Sequence, residues 1–273
     1  MSTSTSTATS TTTADTFRIY TAFRYRAEWR TTLFWAIGLS IYTGVLVSVY
    51  PSIRGALNLN ALPANMRAAF NITDFTQLAS FLSAQVFGVI LPILLPFFAM
   101  IALSGVITGA EERGRLDILL GNPLPRWQVV IGSFLVIATY LLAIVAAISV
   151  ALWVMAQALD LSLSVRQAWR AAFALWPLAT AFGALSLALS ALVRQRSWAL
   201  GIPAAVLFLM YLLNVIGRLA PAISWVRWLS AFNYYGVAIT EGLWWPGVAT
   251  LVGSAVVLMG LATLLFNRRD IYA

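Results

Sequence analysis

The sequence has 273 residues, of which 61% are hydrophobic and 10% charged, whereas a soluble domain carries about 45–50% apolar and about 25% charged residues. A water-soluble globule is excluded, and the chain belongs in a membrane. All 17 basic residues are arginine, nine acids leave a formal charge of +8, and His, Cys and Lys are absent. No His and no Cys excludes a Ser-His-Asp or Cys-His triad, thiolate or imidazole metal ligation and a disulfide framework. No Lys excludes a P-loop, whose lysine reaches the β and γ phosphates. If ATP drives this protein, another chain binds the ATP.

Residues 1–15, MSTSTSTATSTTTAD, form a Ser/Thr tract without the basic start and apolar run of a cleaved signal, and are expected to be a disordered cytoplasmic tail. Residues 16–30 then interleave Arg18, Arg24, Arg26 and Arg30 with Phe17, Tyr20, Phe23, Tyr25 and Trp29. On a helical wheel Ile19, Tyr20, Phe23 and Ala27 share one side, although Arg30 intrudes on it. The pattern fits an interfacial amphipathic helix on the inner leaflet, with Phe23 and Trp29 at head-group depth and Arg18, Arg26 and Arg30 facing anionic lipid. A basic flank that only orients the next span fits as well.

A spanning helix needs about 20 mainly apolar residues, and the chain contains six charge-free intervals of that length. The expected spans are 31–50, 82–109, 127–157, 171–193, 197–216 and 247–266, within a six-span domain of residues 31–266 followed by a short tail at 267–273. The second interval carries Pro92 and Pro96 in VILPILLPFF, which predicts a long helix kinked near its middle, because each proline removes a backbone donor. With the N-terminus inside, eleven arginines lie in cytoplasmic segments and six outside. The positive-inside rule therefore places both termini in the cytoplasm.

On the outer side, residues 218–246 carry Trp225, Trp228, Phe232, Tyr234, Tyr235 and Glu241, punctuated by Gly236 and Gly242. This stretch is too broken to cross and too aromatic to sit free in water. It reads either as two short re-entrant helices forming an outer gate, or as an aromatic belt anchoring the fifth and sixth spans.

The densest charge cluster lies between the second and third spans: Glu111, Glu112, Arg113, Gly114, Arg115, Leu116, Asp117, Ile118, Leu119, Leu120, then Gly121, Asn122 and Pro123 as a stop, and Arg126. Leu116, Leu119 and Leu120 stand at i, i+3 and i+4, a short apolar face on a charged helix. Two turns cannot hold themselves together in water, so this helix must dock.

This loop resembles the first cytoplasmic loop of the type-2 permease (exporter) family of ABC transporter membrane subunits. Glu111, Glu112, Gly114, Leu116, Leu119, Leu120, Pro123 and Arg126 match; Arg115 stands where the family usually has Thr, Asp117 for Glu, Pro125 for Ser, and Ser133 where a Lys often begins the third span. The resemblance implies an all-α integral membrane fold in which two such subunits, a homodimer or a pair of paralogues, form the translocation path. Each would rest on a separate ABC ATPase subunit through the coupling helix, with the leucines filling a groove and Glu111, Glu112, Arg113 and Asp117 meeting its charged rim. ATP and Mg would sit on that partner; this chain is expected to bind no cofactor, metal or nucleic acid and to be no enzyme. The expected setting is the plasma membrane of a prokaryote, in contact with its lipids. The alternatives are an ion-coupled secondary transporter and a non-transporting scaffold. No Asp or Glu lies inside the expected spans, and only Glu241 approaches one, which counts against ion coupling.

Overall fold

The structure is a computed structural model that describes residues 13–53, 77–112 and 125–269. Among these residues there are helices and no strands. Helix α1 spans Thr13–Ile53; α2, Leu78–Gln85, continues through one π turn at Val86–Ile90 into α3, Leu91–Ser104. After a turn comes α4, Thr108–Glu112, and then α5, Arg126–Ala158. A short helix α6, Val165–Phe173, leads into α7, Leu175–Leu192, and α8 covers Arg196–Leu219. A 3₁₀ helix at Pro221–Leu229 and α9, Ala231–Tyr235, precede α10, Trp245–Arg268. Six helical stretches among the described residues are long and apolar enough to cross a membrane, in the order the charge-free intervals predict. The chain is a multi-pass membrane protein.

Two elements differ from the sequence expectation. Residues 16–30 and 31–50 form one unbroken helix of 41 residues, about 61 Å long at 1.5 Å per residue, twice the thickness of a hydrocarbon core. Its charges do not break it, because Arg24 and Glu28 pair with each other at 3.1 Å across one turn. Tyr20 is buried while Ile19 and Phe23 are exposed, because Tyr20 turns onto α5, where its hydroxyl lies 2.7 Å from Ser133 Oγ. Gly132 permits the approach, since a Cβ there would stand 3.1 Å from the Tyr20 ring. Thr16 donates to Gln128 at 3.1 Å and Tyr140 donates to Tyr25 O at 2.6 Å, so α1 and α5 run parallel along this contact.

The second difference is the form of the bend near Pro92. The helix accommodates it with a π turn: Leu91 N–H bonds to Val86 O rather than to Phe87 O. One residue is inserted into the winding just ahead of a proline that donates nothing, which leaves the carbonyl of Phe87 free for another partner.

The fourth span is the axis of the bundle: 78% of the most apolar part of Val165–Leu192, the stretch that α6 and α7 form, is buried, against 22%, 22% and 17% in the first, fifth and sixth spans. Small residues make this possible. Ala179, Gly183, Ser186 and Ser190 lie on one stripe, and a Cβ on Gly183 would come within 3.0 Å of Ala99 Cβ on α3. Ser186 Oγ lies 3.1 Å from Met100 O and 2.8 Å from Ala199 O, and Ser190 Oγ donates to Ser104 O at 3.0 Å. In hydrocarbon, close backbone approach and hydroxyl-to-carbonyl bonds replace the hydrophobic effect as the force between helices. The peripheral helices carry Phe34, Phe208, Val257 and Leu264 on exposed faces, an apolar surface suited to lipid.

Candidate functional site

The face where α1, α5 and α8 begin and α7 and α10 end holds a charged network around Glu111, Glu112 and Arg126, the described residues that flank positions 113–124. Glu111 accepts from Arg269 Nη2 at 2.7 Å, tying α4 to the end of α10. Glu112 Oε1 accepts from the backbone N–H of Arg196 at 2.7 Å, a carboxylate on the first residue of α8. Free N–H groups and the helix dipole favour an anion there.

The Arg196 side chain runs back across Gly105 and Gly109 and donates to Ile101 O at 3.0 Å. On the other edge, Arg126 Nη1 donates to Phe266 O and Arg269 O, both at 2.8 Å, and its guanidinium lies 5.5 Å above the Phe266 ring. Arg126 thus satisfies carbonyls at the C-terminus of α10, where a cation is favoured. Arg269 also reaches Ser190 O at 3.3 Å, at the end of the axial helix.

Of the residues expected to form the coupling segment, Glu111, Glu112 and Arg126 are therefore brought together, but onto partners within the chain. Arg113, Gly114, Leu116, Asp117, Leu119 and Leu120 lie outside the described residues. Sequence reasoning missed Arg196 and Arg269, which it used only to count charge by side. The available signal was their position at the first and last turns of predicted spans, where arginines meet helix ends.

At the opposite face, Ser230 caps α9, accepting from Phe232 N–H at 3.2 Å while donating to Met210 O on α8 at 2.6 Å. Phe232 is buried, in edge-to-face contact with Tyr211 at 5.4 Å. Tyr235 donates its hydroxyl to Phe87 O at 3.0 Å, the carbonyl that the π turn releases. This bond latches the outer segment to the second span. Burial pushes the Tyr235 phenol far above its ordinary range, so it remains a donor.

Tyr234 instead stacks on Trp244 at 6.0 Å and donates to Trp228 O at 3.1 Å. Trp225 and Trp228 are exposed, as is Glu241. Gly236 and Gly242, at φ of +70° and +88°, supply the left-handed turns that fold residues 236–244 back over the helix ends. The expected aromatic residues therefore divide into an inward pair, Phe232 and Tyr235, and an outward set. Along α1, Arg18, Phe23, Arg26, Trp29 and Arg30 all lie on exposed positions. Among the described residues no group of His, Cys, Asp and Glu is placed to hold a metal.

A family model described as ABC-2 family transporter protein matches residues 25–271 of the chain. Comparison with curated proteins finds no match.

Proposed function

Because the chain belongs to the ABC-2 transporter family, and so is a permease component of an ABC transporter with an ABC ATPase as its general kind of partner, we propose that it is the membrane half of an ATP-driven exporter. It pairs with a second permease subunit and takes its energy from a separate ATPase that binds ATP and Mg. The observation that carries the coupling is the pinning of both edges of the 113–124 loop. Glu111 and Glu112 hold one edge to α10 and α8, and Arg126 holds the other to the end of α10. A push on the loop from below therefore passes to the ends of three spans at once. Floppy edges would absorb it.

In this reading Leu116, Leu119 and Leu120 dock in the ATPase groove. Arg113 and Asp117 meet its rim, since the two glutamate carboxylates have partners in the chain itself. The exposed arginines and aromatics of residues 18–30 contact head groups of the inner leaflet, with both termini cytoplasmic in a prokaryotic plasma membrane. The outer segment dips into the opposite leaflet and gates the exit through the Tyr235 latch.

The docking is tested with the ATPase that co-purifies with the chain. Leu116→Asp and Leu119→Asp are expected to abolish the complex while leaving the permease monodisperse and helical. An unchanged complex with undiminished coupled ATP hydrolysis in both variants would remove the docking role.

A further inference from the structure

The outer face carries an open cavity of about 700 Å³ between the end of α8, the 3₁₀ helix and residues 236–244, with Arg218, Ser224, Arg227, Asn233, Glu241 and Trp244 in its wall. Its volume falls in the range of small-molecule sites, about 300–1,000 Å³. Arg218 is shared with a second, smaller cavity of about 40 Å³ beside the π turn, lined in part by Ser83, Asn214 and Tyr235. Around the two cavities, four buried polar atoms have no hydrogen-bond partner: Arg218 Nε, Arg227 Nε, Ser83 Oγ and Asn214 Oδ1. Ser83 and Asn214 are only 3% and 7% exposed.

Such a set is costly to leave bare. An unpaired buried polar atom loses the hydrogen bonds it made with water, and a buried charge loses more. Among the described residues neither Arg218 nor Arg227 forms an ion pair. Arg218 lies near enough to feel the charge of Arg227, and Glu241 is the acid that acts on it. Gly217 sharpens the arrangement, because a Cβ there would run into the Arg227 side chain; the glycine lets Arg227 lie against α8 beside Arg218. One aromatic side chain, Trp244, lines the cavity, and it is stacked on Tyr234 behind it. Two guanidiniums in one cavity wall, neither of them ion-paired among the described residues, offer the donor fork that suits a tetrahedral oxyanion.

We propose that this outer cavity is a binding site for a phosphate-type oxyanion, held by Arg218 and Arg227 with Glu241 weakening the hold, and that Trp244, with Leu243 and Val237, takes the apolar part of an amphiphile bearing that group. The proposal does not depend on the ATPase-coupling reading, because binding is measured without any ATPase.

The full chain, reconstituted in nanodiscs of phosphatidylcholine, is titrated with inorganic phosphate at constant chloride. In parallel, nanodiscs containing phosphatidylglycerol are analysed for retained lipid by native mass spectrometry. Arg218→Gln and Arg227→Gln are each expected to weaken binding about ten-fold or more, Arg227→Lys less, since it keeps the charge but loses the fork. Glu241→Gln, which removes the opposing charge, is expected to tighten binding severalfold; it keeps the proposal testable should Arg218→Gln fail to fold. Phosphate binding with these effects identifies a soluble phosphorylated compound, and retention of phosphatidylglycerol with the same dependence identifies a lipid head group; both support the site. Binding of neither probe, or binding that no arginine variant alters and Glu241→Gln does not tighten, overturns it.

Discussion

Removing a single oxygen atom, in Tyr235→Phe, tests the link between the outer segment and the second span. The phenol fills the same space without its hydroxyl, so packing around α9 stays as it is and only the bond to Phe87 O is lost. That carbonyl has already given up Leu91 N–H to the π turn, which bonds to Val86 O instead, and so it is left without a donor. A buried acceptor deprived of its partner costs about 1–3 kcal/mol. If the bond holds Ala231–Tyr235 in place, local opening of that helix becomes about 5 to 150 times more frequent at 25 °C. Hydrogen exchange of the full chain in nanodiscs, followed by mass spectrometry on peptides covering residues 228–240, reads this factor directly. Tyr234→Phe is the control, because its hydroxyl bonds at 3.1 Å to Trp228 O within the outer segment and reaches no span. Its exchange is expected to rise less. Equal protection in parent and Tyr235→Phe would refute the latch.

Three further outcomes follow from the same geometry. Because burial raises the Tyr235 phenol above its unfolded value of about 10, the folded state keeps a proton that the unfolded state loses. Thermal stability is therefore expected to decline as pH rises above about 10, and Tyr235→Phe removes part of that decline; identical slopes in the two proteins would contradict it. Arg126→Ala takes the donor from Phe266 O and Arg269 O, a loss of about 2–3 kcal/mol for charge-assisted bonds. It should raise exchange over residues 260–269, and no change there would mean that the end of α10 is held by other contacts. Gly183→Val forces a side chain into the contact with Ala99 and Leu103 and is expected to destabilise by about 1–3 kcal/mol through overpacking, seen as a lower melting temperature in detergent, whereas Gly253→Val, at a position with open space, should not.

Some of this architecture is legible in the sequence, and the reasons for the rest are physical. The six spans stand out because charge is expensive in hydrocarbon and its absence over 20 residues is a strong signal. The single helix from Thr13 to Ile53 does not stand out, since the arginines interleaved along residues 16–30 read as an interfacial helix or a basic flank separate from the first span. Pro92 announces a bend without saying that a π turn will make it, or that the freed carbonyl will meet Tyr235 from 148 residues away. Arg126 matches the loop motif, but its acceptors are main-chain carbonyls some 140 residues on, which no spacing rule encodes. Arg218 and Arg227 enter the sequence reading only as outer charges counting against the positive-inside tally. Their convergence depends on Gly217 and on the fold of residues 220–244.

The central claim is that ATP bound on a partner at one face moves the outer segment at the other. The chain has no cysteine, so Ala238→Cys provides a single probe at a buried position lining the smaller cavity, small enough to leave the Tyr235 latch in place. Its rate of modification by a membrane-impermeant maleimide is measured in liposomes with the co-purifying ATPase, with and without vanadate-trapped nucleotide. The account predicts slow labelling at rest and a severalfold faster rate in the trapped state, an increase abolished by Leu116→Asp. Equal rates in the two states would contradict it.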